Sequence, residues 1–158
     1  MEQTIMAEIY DRLHDIVYRT ALAYCRNVQD AEDITHDVFM IRFEREDSFP
    51  DAEAEKAWML RVTINECRDL HRRSDKRSAV PLEFAQDLPA KTDAETAVCE
   101  AVNLLSERDR ILIHLYYFEG YSVRETAEIT HTREPVVWAR LARARKRLKK
   151  LLGKEFLP

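Results

Sequence analysis

A chain of 158 residues has room for one ordinary domain or two small ones, and its 46% apolar and 34% charged residues describe a folded chain rather than a disordered one. It has only two glycines, Gly120 and Gly153, against a usual share of about 7%, which excludes a β-sandwich and a glycine-rich phosphate loop. The net charge of −4 conceals a segregation, since residues 133 to 154 hold nine lysines and arginines against Glu134 alone. That pattern points to a polyanion at one end of the chain and a different partner elsewhere.

The predicted elements are all helices. The first, about Gln3 to Arg26, places Ile5, Ile9, Leu13, Ile16, Val17 and Ala21 at helical spacing, one apolar face for a core. Asn27 to Asp30 interrupt it, and Asp30 is the expected N-cap of a second helix running to about Arg45. In that helix Asp30, Asp33 and Asp37 share one face, and Ile34, Val38 and Ile41 another. Glu46 to Glu55, with Pro50, reads as a loop. A third helix from about Ala54 carries Trp58, Val62 and Cys67, with Leu60 flanking, and ends in the basic run His71 to Arg77.

Ser78 to Asp93, with Pro81 and Pro89, reads as a flexible linker between an N-terminal domain, residues 1–77, and a C-terminal one, residues 94–158. A helix over Ala94 to Leu105 stops at Ser106, which opens another that presents Ile111, Leu112, Leu115, Tyr116 and Phe118. Gly120 ends that helix at a position needing positive φ. Ser122 and Glu125 form a capping box for a short helix whose inner face is Val123, Thr126, Ala127 and Ile129. After a turn at Thr130 to Thr132, a long helix runs from about Arg133 to Leu152.

A short capped helix, a tight turn and a longer basic helix make a helix-turn-helix, with Pro135 tolerated in the first turn of its second helix. In such a motif the start of the second helix meets base edges and its flanks meet phosphates. The candidates for the groove are therefore Arg133, Glu134, Val136, Val137 and Arg140. Arginine pairs bidentately with guanine, glutamate accepts from cytosine, and valine meets a thymine methyl. Arg143, Arg145, Lys146, Arg147, Lys149 and Lys150 are expected on the phosphates, with Leu141, Ala144, Leu148 and Leu151 turned to the core.

Little supports catalysis. His14, His36, His71, His114 and His131 are scattered and belong to no hydrolase or metalloprotease pattern. Cys25, Cys67 and Cys99 form no CxxC pair, so at least two are expected to be buried, inert thiols. No cofactor is expected, and with no signal-like or membrane-length apolar segment a cytoplasmic location is expected.

Three stretches carry a resemblance. Leu104 to Arg110, Phe118 to Ala127 and Arg140 to Arg145 look like the C-terminal promoter-binding domain of sigma factors, a pattern partly shared by LuxR-type regulators. Asp30 to Phe39 closely resembles the acidic polymerase-binding helix of extracytoplasmic-function (ECF) sigma factors. Trp58, Asn65, Asp69 and Arg72 are similar to that family's series in the following helix. The resemblance spans about Ala7 to Arg73 and Ala94 to Leu152. It implies core RNA polymerase and promoter DNA as partners, and an anti-sigma factor, common in the family, as a further one. It places polymerase contacts at Asp33, His36, Asp37 and Phe39, −10 contacts at Arg61, Asn65, Arg68, Asp69, Arg72 and Arg73, and a flipped base at the loop 47–55. His36 stands where the family commonly has glutamine, Arg133 and Pro135 where it often has serine and glycine, and His131 where glycine is common. The rival reading is a helix-turn-helix repressor or activator whose N-terminal helices dimerise or sense a signal; an enzyme is the remote alternative.

Overall fold

A computed structural model describes residues 2–73 and 93–153, with no strand among them. The chain divides into two compact units, residues 1–84 and 85–158. The expected linker 78–93 lies outside the described residues except at its last position, as do Ser74 to Arg77 and Lys154.

The first unit is a three-helix bundle of α1 (Glu2–Cys25), α2 (Val28–Glu44) and α3 (Ala52–Arg73). Its α1 turns Ile9, Leu13, Ile16, Val17 and Ala21 into the core, the face the periodicity predicts, but Ile5 in its first turns is exposed. A positive φ of 53° at Arg26 ends α1. The cap of α2 is Asn27 rather than Asp30: its extended backbone leaves its side chain free to accept the Asp30 N–H at 2.9 Å. Asp30 therefore sits inside the first turn and is buried, which separates it from exposed Asp33 and Asp37.

In the same way Asp51 accepts the Ala54 N–H at 2.7 Å, so α3 starts at Ala52 and the loop shortens to residues 45–51. The inward face of α3 is Met59, Leu60, Thr63, Ile64 and Cys67, with Trp58 and Val62 only half-buried. Leu60 is thus a core residue, and the expected phase was rotated by part of a turn. Buried Glu55 ties the three helices together, pairing with Arg12 of α1 and, at 2.7 Å, with Arg42 of α2. Burial alone would raise its pKa. The hydrogen bonds and positive charges of Arg12 and Arg42 outweigh that and hold the carboxyl below its ordinary value.

The second unit contains α4 (Asp93–Asn103), α5 (Glu107–Ile113), α6 (Val123–Thr130) and α7 (Glu134–Leu152). Ser106 caps α5 by accepting the Asp109 N–H. Arg110 folds back to donate to the Leu105 carbonyl at 2.8 Å, bracing the turn between α4 and α5. A widened π-helical turn, His114–Phe118, continues α5, closed by a Glu119 N–H to His114 carbonyl bond of 2.9 Å. It turns Leu115 inward and leaves Phe118 exposed, where simple helical spacing placed Phe118 on the inner face. The 3.0 Å pair of His114 and Glu119 lies across the same turn. Gly120 then takes φ 77°, as its position requires.

Both halves of the Ser122–Glu125 capping box are formed, and Val123, Thr126, Ala127 and Ile129 are buried as expected. His131 ends α6 in the left-handed region (φ 53°), so the turn survives without glycine. Packed across α6 and α5, α7 buries Val137, Leu141, Ala144 and Leu148, while Leu151 stays exposed.

Candidate functional site

Three polar surfaces emerge, two on the first unit and one on the second. Asp33, His36 and Asp37 are all exposed on α2, at spacings that place them on one face. Phe39 is not with them. It is 3% exposed, turned inward against Tyr10 at 4.9 Å and Phe43 at 5.9 Å between ring centroids. Phe39, expected to make a direct contact, packs beneath that face, because a step of two from Asp37 rotates its side chain by about 200°. Exposed Met40, one turn beyond them, completes that face instead. The negative field reaches α3: burial, together with the like charges of Asp37 and Asp69, pushes the Glu66 carboxyl up against the opposing pull of Arg73.

On α3, Arg61, Asn65, Arg68, Asp69, Arg72 and Arg73 recur at helical spacing opposite the core face, and the structure keeps all six on one stripe. Asn65, Asp69, Arg72 and Arg73 are exposed, while Arg61 and Arg68 are half-buried. Arg73 donates to the Asp69 carbonyl at 3.3 Å, and Arg72 lies 3.9 Å from the Asp69 carboxylate. Asp69 thus orients its neighbouring arginines. At the N-terminal side of α3, the loop 45–51 is held by stacking. The Arg45 guanidinium lies 4.3 Å from the Phe49 ring and 4.9 Å from Trp58, whose rings are 5.4 Å apart.

The third surface is α7. Arg133 caps it with extended backbone, and Arg133, Glu134, Arg143, Arg145, Lys146 and Arg147 are all exposed, with Val136 half-buried. Two of the expected base contacts, Val137 and Arg140, are engaged within the second unit. Val137 is 0% exposed and belongs to the core between α7 and its neighbours, so it has no surface to offer a base. Arg140 spends its guanidinium on Asp109, at 3.1 Å across α7 and α5, in a half-buried pair. Arg145 donates to the Tyr117 hydroxyl at 3.2 Å. Beside the start of α7, Arg124, Ala127, Glu128, His131, Thr132, Arg133 and Glu134 line a shallow concavity.

Comparison with known proteins decides what these surfaces belong to. The sigma-70 region 2 family model matches residues 9–77, and the sigma-70 region 4 model matches residues 96–148. The chain is 31% identical to the ECF RNA polymerase sigma factor SigM of Mycobacterium tuberculosis, over 92% of this chain and 76% of that one. It is 30% identical to the sigma factor SigV of Bacillus subtilis, over 89% and 86% of the two chains. The chain belongs to the sigma-70 family, in its ECF group. Two solved structures share its fold. The sigma factor RpoE of Bartonella quintana, bound to the anti-sigma factor NepR, matches at TM-score 0.72 and 22% identity over 94% of this chain and 97% of that one. CnrH, bound to the cytosolic domain of CnrY, matches at 0.70 and 25% over 97% and 90%.

A sigma factor directs core RNA polymerase to promoters, and this one does so with a region 2 and a region 4 domain. Sigma factors regulate transcription rather than catalyse a reaction of their own. No helix of the described residues is long and apolar enough to cross a membrane. Of the cysteines, Cys25 and Cys67 are buried, and burial together with the contact between them pushes the Cys67 thiol up, away from reactivity. Sequence reasoning missed two exposed residues, Met40 and Trp138. Spacing from His36 and Asp37 signals Met40, and its position next to buried Val137 signals Trp138.

Proposed function

We propose that this sigma factor joins polymerase to promoter through these three surfaces. Asp33, His36 and Asp37, with Met40 beside them, meet the polymerase, and Phe39 holds that face in shape from beneath. The α3 stripe of Arg61, Asn65, Arg68, Asp69, Arg72 and Arg73 follows the −10 element as it melts, where cations track the backbone and amides meet unpaired bases. The loop 45–51 stands where a flipped base would be captured, its unstacking cost offset by pocket contacts. In the second unit, Arg133, Glu134 and Val136 face base edges at the −35 element, with Arg143, Arg145, Lys146 and Arg147 on phosphates. Arg140 acts through Asp109, fixing the angle of α7.

One observation carries this reading: the charges are sorted by surface. Phosphates repel the exposed acids of α2, which therefore suit a protein, while the cations of α7 suit a polyanion. The same proposal assigns residues 1–77 to polymerase binding and −10 melting, 78–93 to the linker and 94–158 to −35 binding. It places the protein in the cytoplasm, and it includes an anti-sigma partner, since RpoE and CnrH are solved with proteins bound.

The test is transcription of genomic fragments by bacterial core polymerase supplemented with the purified chain. Discrete new start sites and a stable complex with the polymerase are expected. A chain that binds DNA fragments but forms no polymerase complex and yields no start would be a repressor-like regulator.

A further inference from the structure

Trp138 lies in the second turn of α7 and is 53% exposed. A single exposed aromatic needs no explanation by itself, but the surroundings of this one are specific. On the outward face of α7 its neighbours Pro135, Ala139 and Ala142 are exposed and carry no charge or hydrogen-bonding group, and exposed Glu134 lies one turn before it. Cations follow directly at Arg143, Arg145, Lys146 and Arg147. Of the cations that follow, Arg145, Lys146 and Lys149 fall on the same side of the helix as the indole, so an apolar protein partner covering the indole would also have to cover those charges. A DNA duplex meets both features, because phosphates flank a groove whose floor carries thymine 5-methyl groups and carbonyl acceptors. The arginine best placed by sequence to fork onto guanine there, Arg140, is committed to Asp109. Trp138 is the large exposed side chain on the opposite flank of the reading helix.

We propose that Trp138 is a specificity-determining residue of the upstream promoter contact: its ring packs on the 5-methyl of a thymine in the major groove. This rests on the assignment of α7 to the −35 element, and it shifts the choice of bases from hydrogen-bonded guanine toward thymine in the central positions. The indole N–H adds a donor for O4 or N7 acceptors on the same edge.

The experiment uses holoenzyme assembled from the full chain and core polymerase on a promoter found by the transcription test. Each thymine of the upstream footprint is replaced in turn by uracil, which removes only the methyl group. Wild-type binding is expected to fall about three- to fivefold at one or two positions, the worth of one buried methyl group. Trp138→Ala is expected to bind natural DNA more weakly by a similar factor and to lose the distinction between thymine and uracil, while Trp138→Phe keeps part of it. Because the side chain is exposed, thermal melting of the variants is expected to match wild type. An unchanged thymine–uracil profile in Trp138→Ala overturns the proposal. So does an upstream footprint in the wild type with no thymine preference, or a Trp138→Ala defect confined to polymerase association. Absence of any upstream footprint in the wild type overturns the assignment of α7 as well, so the two failures are separable.

Discussion

Val137 and Arg140 lie one turn apart on α7 and do different structural work. Val137→Ala removes two enclosed methyl groups, and a loss of about 1–3 kcal/mol in unfolding free energy is expected by denaturant titration. Base preference in the folded fraction is expected to stay as it was, since no atom of Val137 reaches the surface. Arg140→Ala is a milder change in stability, about 1 kcal/mol or less for a half-exposed pair. Its expected effect is weaker −35 binding with polymerase association intact. The partner separates the two explanations. If Arg140 acts by positioning α7, Asp109→Ala weakens DNA binding to a comparable degree in a footprinting titration. If only Arg140→Ala does so, the guanidinium touches DNA directly.

At the scale of the helices, Glu55 joins α1, α2 and α3 through two arginines, and its acid response follows from its depressed pKa. A carboxylate with a folded value below its unfolded one contributes stability in full above the ordinary value of 4.5. That contribution is lost as pH falls through the depressed folded value. Glu55→Gln is therefore expected to lower the melting temperature of the first unit at pH 7 and to flatten its decline below about pH 4.5. The loss at pH 7 is expected to be about 2 kcal/mol, below that of a fully enclosed pair because Arg12 is partly exposed. Glu66 has the opposite sign. Its pKa is raised by burial and by Asp37 and Asp69, so its ionised form opposes folding at neutral pH. Glu66→Gln is expected to raise the melting temperature at pH 7 and to make no difference once the carboxyl is protonated in acid. A fall at pH 7 would show that Glu66 instead makes a favourable contact.

For the whole molecule, the sorting of charge makes promoter binding dependent on salt. Each phosphate neutralised contributes a slope of about 0.9 to the logarithmic salt dependence of affinity. Lys146→Ala is expected to reduce that slope by about one and to weaken binding evenly across promoter sequences. Polymerase association, which is proposed to use the acidic face of α2, is expected to be unaffected. A change in base preference without a change in slope would place Lys146 on a base rather than on the backbone.

Much of this was legible in the chain of residues. Scarce glycine and period 3.6 pointed to the helices, because the periodic signal acts within a few residues. Capping chemistry is local too, so Ser106, Gly120 and the Ser122–Glu125 box were readable, as was the positive run of α7. What sequence could not decide was which of two adjacent side chains turns inward. One step along a helix rotates a side chain by about 100°, so widening the turn at His114 changes which of the residues after it are enclosed. Only the packed bundles therefore moved Phe39 and Val137 into the core, exposed Met40 and Trp138, and tied Arg140 to Asp109. The family and its partners were written in local pattern; which side chains are left to touch those partners was decided by long-range packing.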